Sequence, residues 1–233
     1  PVEFNMGSAE EEGAGPVHRR RINRTFAVSS KEVTTQQFYD FANDPHFTFA
    51  SRELPALQKN CDKYSSQFCG PEGPQTFVTW YVAAEYCNWL SQREGRTPVY
   101  KYQFGEWVPV YPLSDGYRLP TEAEWVLAVR YAGQQQPRKF PWGTKWPPPK
   151  ESGNFADRSA IEIVPSILPA YDDGYPSTSA VGTYQPNALG IYDGGGNVAE
   201  WVNDFYTVPA PGITAPMVDP LGPERGQSYV IRG

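Results

Sequence analysis

Apolar positions in this chain fall into three short bursts of helical period, separated by long stretches with no period at all. Thr34 heads the first burst. Gln37 completes a capping box with it, and Phe38, Phe41 and Ala42 at i, i+3 and i+4 give one apolar face. Asn43-Asp44-Pro45 stops it. Thr79 heads the second, where Trp80, Ala83, Ala84, Cys87 and Leu90 form the predicted core stripe and the helix ends near Gly95. Thr121 heads the third, with Glu124 as its capping-box partner, Ala123, Val126, Leu127 and Arg130 along it, and Gly133 as the stop. Phe4 and Met6, residues 17–22 and residues 26–28 read as strand-like, and residues 98–102 and 106–111 read as the two arms of a hairpin. Residues 46–76 and about 134–190 carry no period and read as loop. With no internal repeat and no linker, the expectation is one α+β domain over residues 1–233, with about three helices, short strands and long loops.

Composition sharpens this picture. Aromatics make up 15% of the 233 residues, Gly and Pro number 21 and 24, and all hydrophobics reach only 39%, which suits a loop-rich fold with large rings in its core. A net charge of −6, with Arg19-Arg20-Arg21 as the longest basic run, argues against nucleic acid as a partner. No apolar stretch approaches the roughly 18 residues of a membrane-spanning helix. The three cysteines, Cys61, Cys69 and Cys87, lie outside zinc-finger spacing. Cys61 and Cys69 bracket a polar loop that a local disulfide could close, and Cys87 reads as a small apolar residue within the second helix.

Residues 187–201 concentrate the chemistry: Asp193, three consecutive glycines, Asn197 and Glu200 stand in one short loop. Carboxylates beside pliable backbone carbonyls suit a hard cation, since calcium takes six to eight oxygens. An EF-hand register from Asp193 to Asp204 fails, because its third position is Gly195 and its sixth is Val198. A phosphate loop fails as well, because no Gly-Lys-Ser/Thr follows the glycines.

Eight ordered blocks give the chain a wider likeness. Met6-Gly7-Ser8, Glu32-Val33-Thr34, Glu85-Tyr86-Cys87-Asn88-Trp89, Arg118-Leu-Pro-Thr-Glu-Ala-Glu-Trp125, Pro141-Trp142-Gly143 and Asn187-Ala-Leu-Gly-Ile-Tyr-Asp193 through Gly196-Asn197-Val198 to Glu200-Trp201 stand in sequence. In these the chain resembles the formylglycine-generating-enzyme, or sulfatase-modifying-factor, family across nearly its whole length. The resemblance implies a C-type-lectin-like α+β fold with little regular structure. It also implies two calcium sites that order the long loops. The first would use Asn154, Phe155, Asp173 and Tyr175, and the second Asp193, Gly196, Val198 and Glu200, with the Gly and Val supplying carbonyls. His18 follows Pro16 as the family's early histidine does and reads as structural. Two departures remove bulk from the loop: Gly194 stands where the family has Met, and Ala199 where it has Trp.

The family's catalytic cysteines follow an Arg-Gly-Gly-Ser turn, and the sequence stops at Arg232-Gly233, so the chain reads as a domain incomplete at its C-terminal end and, as given, without the thiol pair that would bind copper(I). The expectation is therefore a calcium-stabilised, non-catalytic scaffold for a protein or peptide ligand, of the lectin-fold variable-protein type. The alternative is a copper-dependent oxidase that converts a substrate-protein cysteine to formylglycine, with copper required only if a cysteine pair lies beyond Gly233. The aromatics at Trp142 and Trp146 and a loop from Trp201 to Tyr206 are candidates to line a ligand surface.

Overall fold

The computed structural model describes residues 1–9, 15–50, 70–103, 106–210 and 212–233; Cys61 and Cys69 lie outside them. In chain order the described elements are β1 (Val2–Met6), β2 (His18–Ile22), α1 (Thr35–Ala42), α2 (Trp80–Arg93), β3 (Tyr100–Gln103), β4 (Glu106–Pro109), α3 (Glu122–Trp125), β5 (Glu200–Phe205), β6 (Met217–Val218) and β7 (Tyr229–Arg232). The strands form three small sheets, β1-β2-β6, β3-β4 and β5-β7. β1 and β2 are antiparallel, with Met6 opposite His18, and β6 joins β2 in parallel. Residues 26–28 are not a strand, and residues 201–205, expected as loop, are the body of β5.

Both expected capping boxes are present. Thr34 Oγ1 accepts from Gln37 N while Gln37 Oε1 accepts from Thr34 N, and Thr121 and Glu124 exchange the same pair of bonds. α3 has only one α-helical turn; residues 126–131 continue it as a π-helical stretch, and Ala132, in the left-handed region at φ 48°, ends it one residue before Gly133. The π-helical turn carries Arg130 and Val129 towards the 193–200 loop.

α2 differs from the single stripe that its spacing predicted. It runs through the middle of the molecule with apolar side chains on two sides. Val82, Tyr86 and Trp89 pack with Phe38 and Phe41 of α1, while Trp80 and Ala84 pack with Val99, Tyr100 and Trp107 of the β3-β4 hairpin. Ala83, Cys87 and Leu90 are only half-buried. Buried Asn88 explains how a polar residue survives there: its side chain donates to Tyr100 O at 2.7 Å and accepts from Tyr100 N at 3.0 Å, closing the edge of β3. Indoles tie α2 to β5, with Trp80 Nε1 donating to Val202 O and Trp201 Nε1 to Val78 O, both at 2.8 Å.

One buried carboxylate pins the second half of the chain to the first. Glu124 is 1% exposed; Arg118 grips both its oxygens at 2.7 Å, and Arg24 donates to it at 2.7 Å. Burial alone would push this carboxyl upward, but the two guanidiniums and Thr121 N–H hold it down at about 2. No helix among the described residues is long and apolar enough to cross a membrane.

Candidate metal centre

The 193–200 loop is built from left-handed and glycine positions. Asp193, Gly196 and Asn197 take φ values of 52°, 87° and 59°, a region that Asp and Asn tolerate better than other side chains and Gly occupies freely. Gly196 is required twice over, because a Cβ there would also overlap the Asn154 carbonyl oxygen and the Phe155 ring. The missing methionine bulk at Gly194 is taken up by Val129, whose Cγ1 lies 2.7 Å from where a Cβ would stand. Side-chain turn chemistry leads in: Asn187 Oδ1 accepts from Leu189 N and Ile191 N, while its Nδ2 donates to Ala128 O.

The loop draws three carboxylates together. Asp193 Oδ1, Glu200 Oε2 and Glu32 Oε1 are each shut off from solvent and accept no hydrogen bond. Their remaining contacts position them: Gly182 N donates to Asp193 Oδ2 at 2.5 Å, and Asn197 Nδ2 donates to Glu32 Oε2 at 2.8 Å. Burial, with Asp193 nearby, pushes Glu32 up to about 8; burial, with Glu32 and then Asp193 nearby, pushes Glu200 up to about 9. Burial also raises Asp193, against the pull of Gly182 N–H and Lys31. The Val198 carbonyl belongs to the same group: a Cβ built on Gly233 would meet Glu200 Oε2 at 2.7 Å and Val198 O at 2.9 Å, so those oxygens converge.

Such an arrangement is unfavourable without a positive charge. Each orphaned carboxylate oxygen costs about 1–3 kcal/mol if nothing satisfies it. A hard divalent cation beside these acids would offset the repulsion among them, so the oxygen donors present suit calcium. Among the described residues no three His, Cys, Asp or Glu side chains close on one point to hold a metal by themselves. A cation would therefore draw on backbone carbonyls too, the role the family resemblance implies for Gly196 and Val198.

Asn154, Phe155, Asp173 and Tyr175 also come together. Phe155 N donates to Asp173 Oδ2 and Tyr175 N to Asp173 Oδ1, each at 2.8 Å. Gly174, at φ 82°, makes the turn between the last two. Asn154 is buried and donates to Ser177 O. This set is less starved than the other, since both Asp173 oxygens accept backbone N–H groups. Its orphan is the buried Tyr184 hydroxyl, whose pKa is raised by burial and then by Asp173. The two sets adjoin, because Asn197 N donates to Asn154 O at 2.8 Å.

Glu32 and Asp157 escape a reading of the sequence, and Asn197 is legible there only as part of its loop. Glu32 lies 165 positions from the Asn197 that holds it. Its only local signal is an acid placed two residues before a helix cap. Asn197 itself bridges Glu32 to Ser179 N. Asp157, fully buried, accepts from Ser159 N, Ser159 Oγ and Asp173 N, and so sets the register of the 157–175 loop. His18 behaves as expected of a structural residue: its Nδ1 lies 2.8 Å from Pro16 O, and burial lowers its pKa. Cys87 is a free thiol that burial pushes up to about 12.

The family profile described as "Sulfatase-modifying factor enzyme 1-like domain" matches residues 2–233. The formylglycine-generating enzyme of Streptomyces coelicolor is 30% identical over 99% of this chain and 75% of its own length. Among solved structures, Treponema denticola variable protein 1 has the same fold, with a TM-score of 0.66 and 24% identity over 100% of this chain and 80% of its own. PvdO from Pseudomonas aeruginosa has a TM-score of 0.63 and 25% identity over 100% and 78%.

Proposed function

This chain belongs to the sulfatase-modifying-factor family, with its C-type-lectin-like α+β fold, and from that membership we propose a calcium-stabilised domain that serves as a non-catalytic scaffold for a protein or peptide ligand. One observation supports the calcium part of this reading: Glu32, Asp193 and Glu200 stand near enough to raise one another's pKa, each with a buried oxygen that accepts no hydrogen bond, and the Val198 carbonyl lies beside Glu200. Glu32, Asp193, Gly196, Val198 and Glu200 would hold one ion, and Asn154, Phe155, Asp173 and Tyr175 a second. Bound calcium supplies the positive charge that lets the acids ionise and ties the long loops together. Removal of calcium with EDTA, followed by a thermal melt, tests this: the expected result is a marked fall in melting temperature that added calcium reverses.

The non-catalytic part rests on the cysteine. Copper(I) selects thiolates, and the one cysteine among the described residues is held neutral by burial far above physiological pH. A single thiol on α2 is a poorer match to copper(I) than the cysteine pair the family resemblance implies. The 30% identity to a formylglycine-generating enzyme favours a second reading, a copper-dependent oxidase acting on a substrate-protein cysteine. Incubation with copper(I), oxygen and a cysteine-containing peptide separates the two. Aldehyde formation, detected by hydrazide capture and mass spectrometry, would establish the oxidase; an unchanged peptide is the outcome expected for the scaffold.

A further inference from the structure

In front of the glycine loop lies an open cavity of about 490 Å³, within the size range of small-molecule sites. Its walls are of two kinds. One is aromatic: Phe140 and Trp142 stack at 4.9 Å with 8° between planes, and Trp142 meets Phe155 edge-on at 5.0 Å. The other is cationic: Arg130, from the π-helical turn, and exposed Lys139 line the same cavity. Neither forms an ion pair with a carboxylate among the described residues. Arg130 is braced by its Nε donating to Arg138 O at 2.6 Å, and Lys139 Nζ sits 5.6 Å from the centre of the Phe140 ring. Among the described residues no acidic side chain lines this cavity; Glu122 and Asp204 line the larger one that Arg130 and Lys139 also border. Exposed Ala199 at its edge puts no bulk across it.

A wall of rings packed on one another, beside two cations with no carboxylate partner among the described residues, suits a ligand with a flat apolar body and a negative group. We infer that this cavity binds an aromatic carboxylate, with the ring packed against Phe140, Trp142 and Phe155 and the carboxylate held by Arg130 and Lys139. The inference deepens the scaffold reading by naming a ligand class for one face. It fails separately, since it is read from pocket variants and the calcium reading from chelation. The ligand's carboxylate could be that of a free aromatic acid or of an aromatic residue at a peptide's C-terminus, and the probes distinguish these.

Indole-3-acetate and acetyl-Gly-Gly-Trp with a free carboxylate are titrated into the purified, calcium-loaded protein by calorimetry, each beside its neutral amide. At least one acid is expected to bind, its amide about tenfold or more weaker, since a charge-assisted contact is lost. Lys139→Gln, a change at an exposed position, should weaken the acid towards the affinity of the amide. Ala199→Trp should abolish binding by filling the cavity, while circular dichroism stays that of the parent protein. Tighter binding of one probe assigns the source of the carboxylate. Equal binding of acid and amide, indifference to both variants, or no heat from either acid at millimolar concentration would overturn the inference.

Discussion

Glu200→Gln should change stability in opposite directions depending on calcium, and the size of the effect follows from the site. Without a cation, burial and the neighbouring acids hold Glu200 protonated up to about pH 9, whereas an unfolded glutamate ionises near 4.5. For a carboxyl raised in the folded state, folding binds a proton as pH rises past the unfolded value. Stability is therefore full below about pH 4.5 and declines between there and about pH 9. At pH 7 that interval spans about 2.5 pH units, or roughly 3 kcal/mol at 1.36 kcal/mol each. Gln is isosteric and always neutral, so in EDTA at pH 7 the variant should be more stable than the parent by up to about 3 kcal/mol. That corresponds to about 6–12 °C in melting temperature for a domain of this size. With millimolar calcium the order should reverse, because the parent gains binding energy that the variant has lost. Melts by circular dichroism at pH 7, with EDTA and with calcium, give all four values. A variant less stable than the parent in both conditions, or a parent indifferent to calcium, would refute the reasoning.

Further expectations concern other parts of the molecule. Glu124→Gln, which leaves Arg24 and Arg118 without their buried counter-charge, should lower stability by about 3–5 kcal/mol in denaturant titrations. Because Glu124 is held down at about 2, the parent should lose this contribution as pH falls from about 4.5 to about 2, and the variant should show a flatter acid limb. Gly196→Ala places a Cβ on the Asn154 carbonyl at a left-handed φ of 87°, and should lower the melting temperature and abolish the calcium response together. Cys87, neutral up to about pH 12, should resist iodoacetamide in the native protein at pH 8 and react only after denaturation, as read by peptide mass mapping.

What the sequence discloses here is local, and what it hides is distant. The capping boxes at Thr34 and Thr121 were legible because each needs only four residues, and both appear in the fold with their reciprocal bonds. α2 was legible as a helix but not in its orientation, since a helix buried on two sides has no single apolar stripe to read. β5 was hidden because its inward polar residues are satisfied by remote partners rather than by alternation. Asn203 accepts from the Tyr100 hydroxyl at 3.0 Å, and Asp204 from Glu122 N at 2.9 Å. Of the proposed calcium ligands, those within single loops could be named from family blocks. Glu32 could not, because its place beside Asp193 and Glu200 is made only when the first helix cap meets the 193–200 loop. The thinning at Gly194 and Ala199 was visible as composition, but its outcomes differ: Val129 fills one space and the other opens onto a cavity.

The central claim is that buried acids are gathered here for calcium, and native mass spectrometry of the EDTA-stripped protein titrated with calcium chloride tests it most directly. The account predicts two calcium ions retained on the folded parent, the loss of one in Glu200→Gln, and the loss of the other in Asp173→Asn. A folded parent that retains no calcium, or variants that retain as many ions as the parent, would contradict it.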